Sequence, residues 1–375
     1  MRDFLPIAIV AVKRETDEAI SLTLAIPDEA REAFAFKPGQ NLIVRRNFDG
    51  EELRRNYSIC SGPGDPHLRI AIKRIADGRF SIWANETLTA GDMIEVLPPQ
   101  GRFVVPAGDG SPRHLVALAA GAGITPIIAM IKQALAHEPE ITFTLVYGNR
   151  SPETILFREE LEDLKDRHLG RFNLLHVLSR NEESSAPLFE GRITAEKVKA
   201  LSAKLFPPQE TAHVLLCGPG SMIKDARTAL FDIGFTREQV HHEFFAPGGG
   251  AYRKPAAASE TPPPQTAPRK GEGGTRGDAT AIGGAQAVAI LDGIRHRFVV
   301  PRGGSVVDAA LAAGVRVPYA CKGGMCCTCR AKLVEGEAVM KVNYSLEPWE
   351  IERGFILTCQ AVPKSKRIVL DYDQM

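Results

Sequence analysis

Four cysteines fall within nine residues near the C-terminus, Cys321-Lys322-Gly323-Gly324-Met325-Cys326-Cys327-Thr328-Cys329, and another, Cys359, stands thirty residues further on. Taken as Cys321, Cys326, Cys329 and Cys359 they give C-x4-C-x2-C…C, the spacing of a plant-type [2Fe–2S] centre. Three thiolates must then come from one tight loop wrapped round a binuclear cluster, with the fourth supplied by another strand. Gly323 and Gly324 let backbone N–H groups turn toward the sulfides. The alternative is a zinc site or buried thiols, but zinc ligands usually arrive as two C-x2-C pairs and this chain has one. Cys327 would leave a single residue before Cys329 if it replaced Cys326, so it is read as a spare thiol.

The 375 residues, 44% of them hydrophobic, can bury substantial cores and are enough for two or three domains. Lys plus Arg is 46 and Asp plus Glu is 45, a net charge of +1 that provides no global field for nucleic acid or an anionic membrane. No nucleic acid and no membrane are therefore expected as partners. The apolar stretch Phe4 to Val12 is too short to span a bilayer and runs straight into Lys13 and Arg14, which suits a strand. Seven cysteines, four of them assigned to a cluster that must stay reduced, point to the cytoplasm.

Residues 1–106 alternate short β-rich runs with Gly/Pro turns, the texture of an antiparallel β-barrel. Residues 107–245 alternate apolar strands, such as Leu115 to Ala120 and Phe143 to Tyr147, with helical stretches, which predicts an α/β domain on a parallel sheet. Residues 246–285 carry Gly248-Gly249-Gly250 and Pro262-Pro263-Pro264 with few large apolar residues and read as a flexible linker. Residues 286–375 hold the cysteine loop, preceded by a hairpin and a short helix capped by Ser305 and ended by Gly314.

Two further stretches carry chemistry. In Arg55-Asn56-Tyr57-Ser58 a guanidinium can pair with a pyrophosphate and a tyrosine ring can stack on a flavin. Lys73 and Gly78-Arg79-Phe80-Ser81 follow, and Ser81 before a helix would offer donors to a phosphate. Solvated strand charges and a core tyrosine are the plainer reading. Gly121-Ala122-Gly123-Ile124-Thr125-Pro126 follows an apolar strand and opens a helix, the setting of a phosphate-cradling loop, with Pro126 in the first turn. The next strand ends in Tyr147-Gly148-Asn149-Arg150-Ser151. No acidic residue stands at its tip to take a ribose 2′-hydroxyl, while Arg150 and Ser151 suit a 2′-phosphate, so NADPH is expected ahead of NADH. Cys217-Gly218-Pro219 ends the last apolar strand, as a turn or as a nicotinamide neighbour. The single Glu238-Gln-Val-His241 fragment lacks the second copy that a di-iron site needs, so oxygen chemistry is assigned to a partner.

Taken together, Arg55 to Ser58, Gly121 to Pro126 and Cys217 to Pro219 resemble the ferredoxin–NADP reductase superfamily. That resemblance implies FAD rather than FMN in the barrel and a nicotinamide nucleotide in the α/β domain. By it, Arg55, Tyr57, Ser58, Lys73, Gly78 and Ser81 bind flavin, and Gly121, Gly123, Thr125, Pro126, Arg150, Ser151, Cys217, Gly218 and Pro219 line the nucleotide site. Ser58, Cys217, Glu243 and Phe245 are implied as catalytic, the last two from His242-Glu243-Phe244-Phe245. The segments Cys321 to Glu337, Asn343 to Glu347 and Gly354 to Gln360 resemble the reductase subunits of phenylacetyl-CoA epoxidases. This implies a C-terminal β-grasp ferredoxin domain and electron flow from NADPH through FAD and the cluster to separate di-iron oxygenase subunits. A nicotinamide gives two electrons together and a cluster takes one, so a flavin must stand between them. The rival clients are a ring-hydroxylating dioxygenase, a soluble methane-type monooxygenase and a fatty-acyl desaturase; a redox-sensing iron–sulfur binding protein is the rival of another class.

Overall fold

The structure, a computed structural model, describes residues 3–62, 64–180, 187–245 and 284–374, with 265–266 as backbone only. Most of the expected linker, 246–285, lies outside the described residues. The chain forms two compact units, 2–250 and 251–375.

The first unit opens with strands β1 (Leu5–Thr16), β2 (Ala19–Ala25), β3 (Asn41–Phe48), β4 (Glu51–Ser58), β5 (Leu68–Lys73) and β6 (Met93–Gln100), with helix α1 (Arg79–Thr87) before β6. They pair in the order β4-β3-β6-β1-β2-β5. An antiparallel bridge from Ile59 to Ile70 joins the two outermost strands, so the sheet closes as the expected barrel. Alternate residues, Ile7 and Ile9, Ile20, Leu22 and Leu24, Ile70 and Ile72, fill its core with Phe34 and Phe80, as the two-residue period of a strand requires. β4, Glu-Glu-Leu-Arg-Arg-Asn-Tyr-Ser, has no such alternation. It is a strand because β3 zips to it from Phe48–Glu51 to Asn41–Ser58, across a turn in which Asp49 and Gly50 both take positive φ (52° and 87°).

The rest of this unit alternates β7 (His114–Ala120), α2 (Ile124–His137), β8 (Thr142–Asn149), α3 (Arg158–Arg167), β9 (Phe172–Leu178), α4 (Ala195–Leu205), β10 (His213–Gly218), α5 (Gly220–Asp232) and β11 (Val240–Phe244). The sheet order is β11-β10-β7-β8-β9, and every pair is parallel. One face packs Leu115, Ala117 and Leu215 against Ile127, Ile131 and Leu161; the other packs Val116, Leu118 and Leu216 against Val198, Leu201, Ile223 and Leu230. The chain runs from β7 outward to β9 and returns to β10 on the opposite side of β7. This puts a topological switch point, where open α/β sheets bind ligands, at the carboxyl ends of β7 and β10. α3 starts at Arg158, directly after Phe157, whose left-handed backbone (φ 56°) cannot continue a helix from the residues before it.

Barrel and α/β layer are tied by charge. Arg69 of β5 makes hydrogen bonds of 2.9 and 2.6 Å to the Glu160 carboxylate of α3, while Lys132 of α2 pairs with Glu160 and with Asp65 (2.8 Å).

The second unit contains β12 (Gln265–Thr266), β13 (Ala285–Leu291), β14 (Ile294–Val300), α6 (Val306–Ala312), β15 (Arg330–Glu335), β16 (Glu337–Met340), α7 (Pro348–Glu352), β17 (Phe355–Leu357), β18 (Ala361–Pro363) and β19 (Arg367–Asp371). Its main sheet runs β14-β13-β19-β15-β17, with β13 and β19 parallel and the other pairs antiparallel. Val306, Val307 and Ala310 of α6 pack on Ala287, Ala289, Leu333 and Ile368, giving the expected β-grasp. Ser305 caps α6 by accepting from Asp308 N–H (3.2 Å). β12 pairs antiparallel with β16, so these two residues of the expected linker are extended. Among the described residues no helix is long and apolar enough to cross a membrane.

Candidate cofactor and electron-transfer sites

In the second unit the four cysteines of the spacing come together as two pairs. The Cys321 and Cys326 thiols are neighbours that interact with each other, and so are those of Cys329 and Cys359. Among the described residues no three His, Cys, Asp or Glu side chains converge as a single ion requires. Two thiol pairs suit a binuclear cluster in which each iron takes two. Gly323 N–H points at Cys321 Sγ (3.3 Å), and Gln360 Nε2 lies 3.7 Å from Cys359 Sγ while donating to Lys322 O (2.7 Å). The residues present therefore fit a [2Fe–2S] group.

The loop is held in uncommon backbone. Lys322 and Cys327 are left-handed (φ 50° and 53°), and Gly324 has φ 76°. A Cβ on Gly324 would also lie 3.1 Å from Val342 O, so two constraints demand glycine there. Gly323 is different: its Cβ would meet only Cys321 O, at 3.7 Å. Cys327 packs against the apolar core.

Residues outside the cysteine pattern brace the loop. The Thr358 hydroxyl and N–H donate to Cys329 O (2.8 and 3.0 Å), and Tyr372 Oη donates to the Thr358 hydroxyl (2.9 Å), fixing the fourth thiol beside the third. Arg330 forms an ion pair with Glu350 of α7 (2.9 Å; side chains 11% and 1% exposed) and lies 3.5 Å over the Phe355 ring.

In the first unit Arg55, Tyr57 and Ser58 lie along β4. The Tyr57 ring sits 5.8 Å from Phe80, Ser58 is buried opposite Asn41, and Arg55 donates to Arg54 O (2.7 Å). Asn56 Nδ2 donates to Asn41 Oδ1 (3.0 Å), and Asn56 Oδ1 is buried without a partner. Lys73 ends β5, 3.6 Å from Glu18. Gly78 is the N-cap of α1, and Ser81 lies inside that helix, not ahead of it. The Ser81 hydroxyl donates to Gly78 O and accepts from Ile75 N–H, both at 3.1 Å, so it braces the loop that the expectation had it offer to a phosphate.

The loop after β7 stands at the switch point. Gly121 has φ 53° with open space around it, and a Cβ on Gly123 would fall 2.1 Å from Cys217 O, so β7 and β10 meet there only because Gly123 has no side chain. Tyr147 Oη donates to Gly121 O (2.9 Å). Thr125 and Pro126 are buried, and the Thr125 hydroxyl donates to Ala122 O (3.0 Å), so both shape the loop from beneath. Gly218 and Pro219 lead into α5, and Phe245 N–H donates to Gly218 O (3.0 Å).

Cys217 and Glu243 are register neighbours on β10 and β11. Burial, with Glu243 adding to it, holds the Cys217 thiol protonated. Burial pushes the Glu243 carboxyl up to about 8, and its Oε2 is buried without a partner. At the β8 tip Ser151 caps the short turn Pro152–Thr154, and Arg150 is ion-paired with Glu18. The β1–β2 turn thus brings an acidic residue to a strand end where the local sequence shows none.

Three domain families match in chain order: the oxidoreductase FAD-binding domain over residues 6–105, the oxidoreductase NAD-binding domain over 117–228 and the 2Fe-2S iron-sulfur cluster binding domain over 289–364. The chain is 39% identical over its full length to a subunit of the 1,2-phenylacetyl-CoA epoxidase of Escherichia coli (strain K12), covering 99% of that protein. The chain belongs to the ferredoxin–NADP reductase superfamily, in the group with a C-terminal [2Fe–2S] domain. This reductase is also 33% identical to the ferredoxin reductase component of 3-ketosteroid-9-alpha-monooxygenase from Rhodococcus rhodochrous, over 98% of this chain and 96% of that one. Phthalate dioxygenase reductase superposes with a TM-score of 0.59 at 25% identity, covering 98% of each chain. The reductase is an electron-transfer oxidoreductase with FAD-, NAD- and [2Fe–2S]-binding domains, and its relatives are reductase components that serve separate oxygenases.

Proposed function

We propose that this reductase takes electrons from NADPH, in preference to NADH, and passes them through FAD and [2Fe–2S] to separate di-iron oxygenase subunits that epoxidise phenylacetyl-CoA. The 39% identity across the whole chain carries the choice of client. When bound, the flavin supplies the exchange between two-electron and one-electron transfer, and the cluster the one-electron outlet.

The chain's residues divide the remaining work. Gly121 leaves open space for the pyrophosphate, Gly123 lets β10 close in beneath that loop, and Arg150 and Ser151 take the 2′-phosphate. Cys217, Gly218 and Pro219 border the nicotinamide with a small neutral side chain and bare backbone. Arg55, Lys73 and the Gly78 end of α1 face the flavin phosphates, with Ser81 bracing their loop, and Tyr57 and Phe245 flank its ring system. Ser58 and Glu243 stand where proton movement is needed; Glu243, neutral below about pH 8, holds a proton beside Cys217. Cys321, Cys326, Cys329 and Cys359 hold the cluster, and its need for reduced thiols favours the cytoplasm.

The test is anaerobic addition of NADPH to the purified reductase with the phenylacetyl-CoA oxygenase subunits, then oxygen and phenylacetyl-CoA, following loss of the thioester substrate. Coupled loss is expected. Reduction of cytochrome c without substrate loss would reject this client in favour of another oxygenase, the reading that the ketosteroid relative supports.

A further inference from the structure

Glu18 occupies the β1–β2 turn, its backbone fixed on both sides. Its N–H donates to Thr16 Oγ1 (3.3 Å), and its carbonyl accepts from Arg74 N–H (2.6 Å). Its carboxylate meets two cations from distant parts of the chain: the Arg150 guanidinium at the tip of β8, and Lys73 Nζ at the end of β5, 3.6 Å away. The side chains of Glu18 and Arg150 are 43% and 41% exposed, so the pair can open to a ligand from solvent.

We infer that Glu18 is a nucleotide-specificity residue: by holding Arg150, it makes a 2′-phosphate compete with a resident carboxylate and so lowers the preference for NADPH over NADH. The inference rests on the proposed place of Arg150 beside the adenosine ribose. Removing the Glu18 charge leaves the Arg150 guanidinium without its resident anion, a gain of one positive charge that a 2′-phosphate dianion senses and a 2′-hydroxyl does not. An exposed pair of this kind is worth roughly 0.2–1 kcal/mol, so releasing Arg150 changes discrimination by about 1.4- to 5-fold.

The experiment measures kcat/KM for NADPH and for NADH, with ferricyanide as acceptor, in wild type, Glu18→Gln, Arg150→Gln and the double variant. Calorimetric affinities for 2′,5′-ADP and 5′-AMP give a readout free of turnover. Glu18→Gln is expected to raise the NADPH/NADH ratio and tighten 2′,5′-ADP with little change in 5′-AMP. Arg150→Gln should lower the ratio, and adding Glu18→Gln to it should then raise the ratio by less than it does in wild type. A ratio unmoved by Glu18→Gln but lowered by Arg150→Gln would overturn the inference and leave the 2′-phosphate reading standing. A ratio unmoved by Arg150→Gln would remove that reading and the inference with it. A Glu18→Gln gain persisting undiminished in the double variant would show that Glu18 does not act through Arg150.

Discussion

The cysteine loop and the Gly121–Pro126 loop are both proposed to hold redox groups, yet they are specified in opposite ways. Three of the four candidate cluster thiols come from nine consecutive residues, and the fourth comes not from a strand, as expected, but from the turn after β17, which Thr358 ties to Cys329. The proposed nucleotide site draws on more than its loop, Gly121 to Pro126: Cys217 and Glu243 are brought together by β10 and β11, and Arg150 at the end of β8 meets Glu18 of the β1–β2 turn, so its proposed parts span most of the first unit. A site defined by covalent ligands can be written locally, whereas one defined by shape and field must be assembled by the fold.

The largest effect separates neighbouring thiols within the local site. Cys326→Ser should abolish normal [2Fe–2S] incorporation, and Cys327→Ser should retain it, because the Cys326 thiol meets Cys321 while Cys327 packs into the core. Iron content, visible absorption and electron paramagnetic resonance of the purified variants check this; loss of the cluster in Cys327→Ser alone would reverse the ligand assignment.

The assembled site should be most sensitive where strands touch. Gly123→Ala places a methyl 2.1 Å from Cys217 O, so β7 and β10 must part. A lower Tm and a several-fold higher KM for NADPH are expected, with cluster absorption unchanged. Gly121→Ala, with open space but a positive φ, should cost less, roughly 1 kcal/mol. Equal Tm losses in the two variants would break the distinction between close approach and backbone freedom.

Glu160→Gln comes next, since it leaves Arg69 and Lys132 without their shared carboxylate between barrel and α/β layer. A loss of about 2 kcal/mol in denaturant stability is expected for the first unit, as for charged hydrogen bonds elsewhere. The unfolding of the cluster-bearing unit should not change.

A further test is a pH dependence. Glu243 titrates near 8 when folded and near 4.5 as its ordinary value, so the folded chain binds the extra proton between them. Stability contributed by the protonated form is fully present below about pH 4.5 and is lost as pH rises through about 8. Glu243→Gln should therefore gain Tm relative to wild type as pH rises from 5 to 9. A difference independent of pH would show that the carboxyl does not titrate there.

Much of the fold was legible because most strands alternate or run apolar, as in Ile20 to Ala25 and Leu115 to Ala120, and because Ser305 and Gly314 mark a helix at both ends. β4 was not legible, since its charged sequence becomes a strand only through pairing with β3. Ser81 was misplaced for a related reason: helix α1 begins at Arg79, and its hydroxyl is used within its own loop. The four cysteines could be read from spacing alone, but not their grouping into two pairs. Glu18 could not, because nothing local to residue 18 announces that a hairpin turn will meet the end of β8. Tyr372 and Thr358 were equally silent, their hydrogen bonds depending on a strand pairing far from the cysteine loop.

On the proposed route, electrons enter at the nucleotide end and leave through the cluster. The most direct test of that route compares wild type with Cys326→Ser, both loaded with FAD, for NADPH-dependent reduction of ferricyanide and of cytochrome c. Wild type should reduce both, and the variant should keep ferricyanide reduction while losing most cytochrome c reduction. Cytochrome c reduction at the wild-type rate by a protein without its cluster would contradict the route.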